Sequence, residues 1–190
     1  MPYVGPSLPG TADAETSIFF LLWSDIDNIK VDDATYASAS NASPGTTKYT
    51  NALIAKNFPF SIPGDATPDG VEVSYMCSGS NNSGSPSTTD FSVRLFVDGV
   101  IDGDNLSAGA AWSISSSTVH TIGGPTETFG LTLTAANINS GNNFGFSVMA
   151  ALQSVAGAVL CRVEWMKMTV WFTDAGGTSG KQTCFINFQC

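Results

Sequence analysis

Along most of the chain apolar and polar residues alternate over short stretches, a period of two that gives an extended strand one face on a core and one in water. Val71, Val73 and Tyr75 alternate with Glu72 and Ser74, and Phe91, Val93, Leu95 and Val97 alternate with Ser92 and Arg94. Phe129, Leu131 and Leu133 alternate with Gly130, Thr132 and Thr134, and Phe144, Phe146, Val148 and Ala150 share one face further on. The last strong pattern, from about Val159 to Thr173, predicts a strand with Met166, Met168, Val170 and Phe172 inward and Trp165, Lys167, Thr169 and Trp171 outward. The run Ile18-Phe19-Phe20-Leu21-Leu22-Trp23 is apolar on both faces if extended. It predicts a first strand, within Ser17 to Ile26, in the middle of the structure or beneath a neighbour.

Turn signals separate these stretches. Pro63, Gly64, Pro68 and Gly70 predict a stiff turn, held out of any sheet ladder, that delivers the chain into the strand at Val71. Asp98-Gly99, Asp102-Gly103-Asp104-Asn105 and Gly123-Gly124-Pro125 predict further turns. Tyr49 to Phe60 reads as two short strand-like runs, with Pro59 at an edge or bend. Ala110 to Ser115 reads as a short strand around Trp112, Ser115 to His120 as polar edge or loop, and Ala135 to Asn139 as one turn of helix. Cys77 to Asp90, rich in Ser, Gly, Asn and Thr, buries almost nothing and predicts a solvated loop. Short alternating runs between recurring turns predict an all-β fold, an antiparallel β-sandwich of jelly-roll type, over residues 15–175. Residues 1–14, with Pro2, Pro6 and Pro9 and no periodicity, are expected to be an extended N-terminal arm; residues 176–190 are expected to be a Gly-rich linker and a C-terminal tail.

Composition narrows the classes. Seven Lys and Arg against 16 Asp and Glu give a formal net charge of −9, which disfavours a surface that neutralises phosphate, so direct nucleic-acid binding is not expected. The longest apolar run is far shorter than the ~20 residues a membrane span needs, and Met1 to Pro6 lacks the basic and apolar regions of a signal peptide. A soluble protein with an intact N-terminus and no membrane partner is therefore expected. Cys77, Cys161, Cys184 and Cys190 show neither CxxC spacing nor a histidine cluster, so free thiols and no metal or cofactor are expected. A Cys184–Cys190 bridge needs Cα atoms within about 7 Å, whereas six residues of extended chain span about 20 Å.

Several pieces occur in one order: an Asp-rich start with Tyr36; Ile62-Pro63-Gly64 through Asp69-Gly70-Val71-Glu72-Val73; Trp112; and Gly123-Gly124. Phe129-Gly130-Leu131, Ile138-Asn139, Phe144-Gly145 and a closing Val163-Glu164-Trp165-Met166-Lys167-Met168-Thr169-Val170 follow. Over roughly residues 20 to 173 this order resembles a β-sandwich module of tailed-bacteriophage virion proteins, found in tail, fibre and capsid-decorating components. Two features depart from that pattern: Phe129 stands where such modules often carry a tryptophan, and the tail after Gly180 is extra. The resemblance implies a virion structural protein with no catalytic residues to carry over. It would self-associate as a symmetric homo-oligomer, a trimer among the options, and bind other virion proteins on the capsid or tail surface.

Candidate chemistry is sparse. His120 is the only histidine, and no Ser or Cys lies in a nucleophile elbow, so a non-enzyme is expected. Asp98, Asp102, Asp104 and Asn105 offer hard oxygen ligands for calcium, but their spacing does not fit a calcium loop and turn chemistry outweighs it; Asp25, Asp27, Asp32 and Asp33 read the same way. Trp165 and Trp171, on the outward face of the last strand, are interface candidates, with cover inside the same chain the favoured alternative. Phe185, Ile186 and Phe188 make the tail β-prone and apolar, suited to adding to a neighbour's sheet edge or folding back on its own domain. The rival class is a carbohydrate- or receptor-binding module in which Trp112, Trp165 or Trp171 stacks on a host glycan.

Overall fold

The computed structural model of the chain describes residues 1–80 and 88–175. Its strands are β1 (Tyr3–Ser7), β2 (Thr11–Ala14), β3 (Ala37–Asn41), β4 (Thr46–Tyr49), β5 (Leu53–Lys56), β6 (Thr67–Gly79), β7 (Thr88–Val97), β8 (Val100–Asp102), β9 (Thr118–Gly123), β10 (Phe144–Ser154) and β11 (Val159–Thr173). They form two antiparallel sheets packed face to face, the β-sandwich that the alternation predicts. One sheet has the order β1-β11-β6-β9, with β3 also on β11; the other has the order β2-β5-β10-β7-β8, with β4 also on β10. The long strands β6, β7, β10 and β11 carry the alternation most clearly. Val71, Val73, Tyr75 and Cys77 of β6 face Val93, Leu95, Phe146 and Val148 of the other sheet across a single core, joined by Met166, Met168, Val170 and Phe172 of β11.

The N-terminal segment belongs to this sandwich. β1 pairs with the C-terminal half of β11 (Tyr3↔Trp171, Val4↔Val170), and β2 pairs with β5 in the opposite sheet (Thr11↔Lys56 to Ala14↔Leu53). With β1 in one sheet and β2 in the other, residues 1–14 stitch the two sheets together along one side. On the same side, β1 ends opposite Met168 and β3 begins opposite Val163, leaving part of β11's edge unpaired. A 3-10 turn, Ile26–Lys30, follows the apolar run and sends Ile29, fully buried, into the core.

Three expected elements differ. The run Ile18 to Trp23 is not a strand: Phe20 N–H donates to Ser17 O (3.3 Å) in a turn, and only Trp23 is buried. Phe129 to Leu133 is a loop, because Phe129 (φ 55°) and Gly130 (φ 71°) both take left-handed backbone; Phe129 and Leu133 plug the core from outside the sheets. The stiff turn also ends earlier than expected, since Pro68 and Gly70 stand in the ladder opposite Phe172 and Trp171, on either side of a bulge at Asp69 in β6. Proline is tolerated there because β9 reaches only as far as Glu72, so Pro68 lies on a free edge and no partner needs its missing N–H.

Gly70 is required by close approach, because a Cβ there would run into Gly124 O and the Pro125 backbone. Gly70→Ala is expected to lower stability by about 1–3 kcal/mol, measured as a lower urea midpoint at unchanged slope. Gly64→Ala, where a Cβ meets nothing within 4 Å, is the control and should stay within about 0.5 kcal/mol.

Candidate functional site

The main polar constellation is built around Asp90 at the start of β7. Extending the alternation back from Val93 puts Phe91 on the core face and Asp90 outside. A bulge reverses this: Ala150 pairs with Asp90 and Met149 with Ser92, so Phe91 has no opposite number and is pushed out to solvent. The extra residue changes the parity, and Asp90 shares the inward face with Val93.

Three donors meet it there. Tyr75 comes from β6 in the opposite sheet, and His120 from β9 stands opposite Tyr75 in register. Trp112 comes from the segment that closes the side of the sandwich, where Trp112 N–H donates to Thr88 O (2.9 Å) and Gly79 N–H donates to Ser113 O (2.8 Å). Asp90 Oδ1 accepts from Tyr75 Oη and Trp112 Nε1, each at 2.6 Å, and Oδ2 accepts from His120 Nδ1 at 2.9 Å. The Asp90 side chain is 1% exposed and that of His120 13%.

Burial and the adjacent Asp90 charge push the Tyr75 hydroxyl well above the usual phenol range, so it stays a donor. The same two causes raise the nearby Cys77 thiol, and burial raises Cys161 to about 12. Because the carboxylate accepts at Nδ1, the proton of a neutral His120 sits there, and Nε2 is left as the acceptor at the partly open side. An imidazole oriented in this way is suited to exchanging a proton. The same bonds tie β6, β7, β9 and the Trp112 segment to one atom group, so the cluster also locks the two sheets together.

A second feature is apolar and exposed. Ile18 is 90% exposed, Phe19 87% and Leu22 61%, with Phe20 beside them. The turn that presents them is held firmly: Asn51 Oδ1 accepts from Ser17 N–H (3.0 Å), and Asn51 Nδ2 donates to Ser17 O (3.1 Å). Leu21 N–H donates to Tyr49 O (2.8 Å), and Trp23 Nε1 donates to Asn51 O (2.8 Å). Tyr49 continues the apolar surface onto the outside of the second sheet, where its ring packs on Phe91 with centroids 4.2 Å apart.

The residues expected to form an interface fare differently. Trp165 is buried within the chain: Lys167 Nζ sits 4.1 Å from its ring centroid and is held by Asp32 (3.0 Å), while Ala34 N–H donates to Glu164 beside it (3.1 Å). Trp171 is half-buried next to the exposed Tyr3, ring centroids 6.1 Å apart. Trp112 is fully buried. Phe185, Ile186 and Phe188 lie outside the described residues, as do Cys184 and Cys190; Cys77 and Cys161 are free and buried.

The acidic turns do turn chemistry. Asp98 accepts both Asn137 Nδ2 contacts (3.1 Å each), Asp102 Oδ1 accepts from Gly103 N–H (2.7 Å), and Asn105 bonds Val93 and Phe91. Asp27 pairs with Lys30 (2.8 Å), and Asp33 accepts from Thr35. Among the described residues no group of three or more His, Cys, Asp or Glu is placed to hold a metal, and no helix is long and apolar enough to cross a membrane.

No family model matches the chain, and no curated protein matches it. Solved structures similar to it include a cyclase from Fischerella sp. TAU in complex with 4-(1H-indol-3-yl)butan-2-one, at 11% identity and TM-score 0.37, covering 87% of this chain and 91% of that one. A second structure of a cyclase from Fischerella sp. TAU shows 10% identity and TM-score 0.34, covering 88% of this chain and 87% of that one. The Stig cyclase Fisc, bound to (3Z)-3-(1-methyl-2-pyrrolidinylidene)-3H-indole, shows 8% identity and TM-score 0.34, covering 87% and 91%. These neighbours are enzymes, and the expectation of a non-enzyme is corrected on that finding. At these TM-scores the likeness carries no reaction or substrate over to this chain.

Proposed function

We propose that the chain is a structural module of a tailed-bacteriophage virion that assembles as a symmetric homo-oligomer on the capsid or tail surface, and that copies meet at the Ile18–Leu22 patch. The observation that carries this reading is the exposure of Ile18, Phe19 and Leu22 on a turn whose backbone is fixed by Asn51 and Tyr49. Fully burying such side chains is favourable by about 1.5–3 kcal/mol each. A preset turn also loses little conformational freedom on binding. A second copy suits the patch because Ser17 to Ser24 carries no charge, whereas the chain as a whole carries −9. Contact at this neutral run brings two acidic molecules together where repulsion is least, and a two-fold arrangement makes the same patch its own complement.

Sedimentation velocity tests it. The wild type is expected to associate at micromolar concentration, more strongly as salt screens the net charge; Phe19→Asp should weaken association by at least about 100-fold, in line with the transfer cost of a buried charge. A wild type that stays monomeric, or a variant that associates unchanged, overturns the assignment. One observation favours glycan binding as a second reading: the exposed Tyr3 and the half-buried Trp171 form an aromatic pair, although Trp112 and Trp165 are enclosed. Glycan-array binding by the wild type that is lost in Trp171→Ala would move the function there.

A further inference from the structure

The sheet containing β9 ends at β9, whose outer edge pairs with no described strand. Two bonds fix which backbone groups that edge presents. Gly124 N–H donates to Val71 O, and Phe172 N–H donates to Pro2 O, each at 3.0 Å. Followed along the registers of β9 on β6, and of β1 on β11 on β6, both make Val71, Val73 and Tyr75 the β6 residues that bond towards β9. Their partners Gly124, Ile122 and His120 turn N–H and C=O towards β6, so Val119 and Thr121 turn theirs to the free edge. The side chains of Val119 and Thr121 are exposed as well, Val119 to 52%.

An open edge pairs with another strand unless something blocks it. The other edges are blocked: β1 carries Pro6 and an irregular register between Val4 and Ser7, and β3 is bonded on its outer side from Ser38 to Ser24. β2 carries Asp13, β4 carries Lys48, and β8 is three residues long and ends in Asp102. β9, by contrast, has no proline, no bulge and no Asp, Glu, Lys or Arg, and Thr118, Val119, Thr121 and Ile122 are all β-branched. The geometry points to a second copy of this chain pairing antiparallel along β9, with the two-fold axis between His120 and its counterpart in the second copy. Val119 of each copy then bonds Thr121 of the other, and every free N–H and C=O of the two residues is satisfied. A shift of the register by two residues sets Val119 against Gly123, whose φ of 87° is not that of a strand, or Thr121 against Ser117, which precedes the strand. A single register therefore uses the whole edge. The strand suits a second copy electrostatically too, because the chain carries −9 and β9 carries none of it, so two acidic molecules meet where repulsion is least.

This contact lies across the sandwich from the Ile18–Leu22 patch. β8 and β9 are at one side of the two sheets, whereas Leu21 is tied to Tyr49 of β4, and Ser24 to Ser38 of β3, at the other. Both contacts can be made at once, neither depends on the other, and together they link copies beyond a pair. Six residues a side is small beside the roughly 20–30 residues a side of a standard interface. The β9 pair is therefore the weaker contact and forms at higher protein concentration.

The full-length Phe19→Asp chain, in which the patch contact is removed, isolates this one for hydrogen exchange and sedimentation velocity. A rise of about 100-fold in protein concentration, to about 1 mM, should slow exchange of the Val119 and Thr121 amides at least about tenfold. The His120 and Ile122 amides, bonded to β6, should be protected already in dilute solution. Two added substitutions block the edge in different ways: Thr121→Pro removes a free N–H without touching the β6 ladder, and Val119→Lys places a charge on the edge. Each should weaken pairing at least about tenfold, read by sedimentation and by the edge amide that remains. Val155→Lys adds the same charge at a comparably exposed valine (59%) in the β10–β11 turn and should leave pairing within about twofold. Edge amides that exchange fast at every concentration overturn the proposal, and so does an equal effect of Val119→Lys and Val155→Lys. Full protection of Val119 and Thr121 in the dilute monomer also overturns it, since the edge would then be occupied within the chain.

Discussion

Asp90→Ala is expected to lower the stability of the domain by about 3–5 kcal/mol, as found when a buried charged group is removed and its partners are left behind. The wild-type carboxylate satisfies Tyr75 Oη, Trp112 Nε1 and His120 Nδ1. Alanine orphans all three, and each buried donor without an acceptor costs about 1–3 kcal/mol. Relaxation of His120 towards the partly open side reduces the total. A domain of this kind is stable by about 5–15 kcal/mol, so the loss is a large share of the whole.

Two further substitutions separate the polar bonds from shape. Tyr75→Phe keeps the ring and removes one donor, leaving Asp90 with two; the expected loss is about 1–2 kcal/mol. On the Asp90→Ala background the same change should cost less, because the hydroxyl is already unpaired, and the double-mutant cycle measures the coupling. Urea denaturation of the four proteins decides it. An Asp90→Ala loss below 1 kcal/mol, or strict additivity with Tyr75→Phe, would mean the cluster does not hold the sheets together.

How much of this was legible in the sequence depends on whether an inference needed one strand or several. The inward faces of β6, β10 and β11 follow from alternation alone: Val71, Val73, Tyr75, Phe144, Phe146, Val148, Met166, Met168, Val170 and Phe172 are all buried. Where alternation failed, a specific feature broke the count of two. A bulge at Phe91 moved Asp90 from the expected solvated loop into the core, and a second near Glu164 puts both Val163 and Met166 inward. Neither leaves a mark in composition, because a bulge is a relation between two strands.

The Asp90 site was illegible for the same reason. Its four side chains come from β6, β7, β9 and the Trp112 segment, and no pair is close in sequence. Ile18 to Trp23 misled in the other direction: hydrophobicity describes how a residue interacts with water but not whether its own chain covers it. What sets this run outside the core is the pair of hydrogen bonds from Asn51 to Ser17, a contact across 34 residues. The only cue to Asp90 was a carboxylate near the end of a strand whose neighbours are apolar.

Stability is also expected to fall steeply above pH 9, by as much as about 5–7 kcal/mol between pH 9 and pH 11 under reducing conditions. Three buried acids are responsible. Cys77 and Tyr75 are pushed above their usual ranges by burial and by the charge of Asp90, and Cys161 is raised to about 12 by burial. In the unfolded chain the thiols ionise near pH 8.5 and the phenol near pH 10. Above those values the folded state holds protons that the unfolded state has released, so raising the pH favours unfolding, by about 1.4 kcal/mol per group for each pH unit. The two thiols begin the loss and Tyr75 adds to it above pH 10, whereas below about pH 7 none of the three contributes an appreciable slope.

Equilibrium urea denaturation at 25 °C, from pH 7 to pH 11 with a reductant present, measures the curve. Cys161→Ala separates proton linkage from packing. Removing the thiol should lower stability at pH 7 through lost contacts while reducing the slope between pH 9 and pH 10 by about half, since one of the two thiols titrating there is gone. A flat profile across this range, or an unchanged slope in Cys161→Ala, would mean the thiols ionise as readily in the folded chain as in the unfolded one. That outcome would contradict the burial of Cys77 and Cys161 at the Gly79 end of the β6–β11 pair.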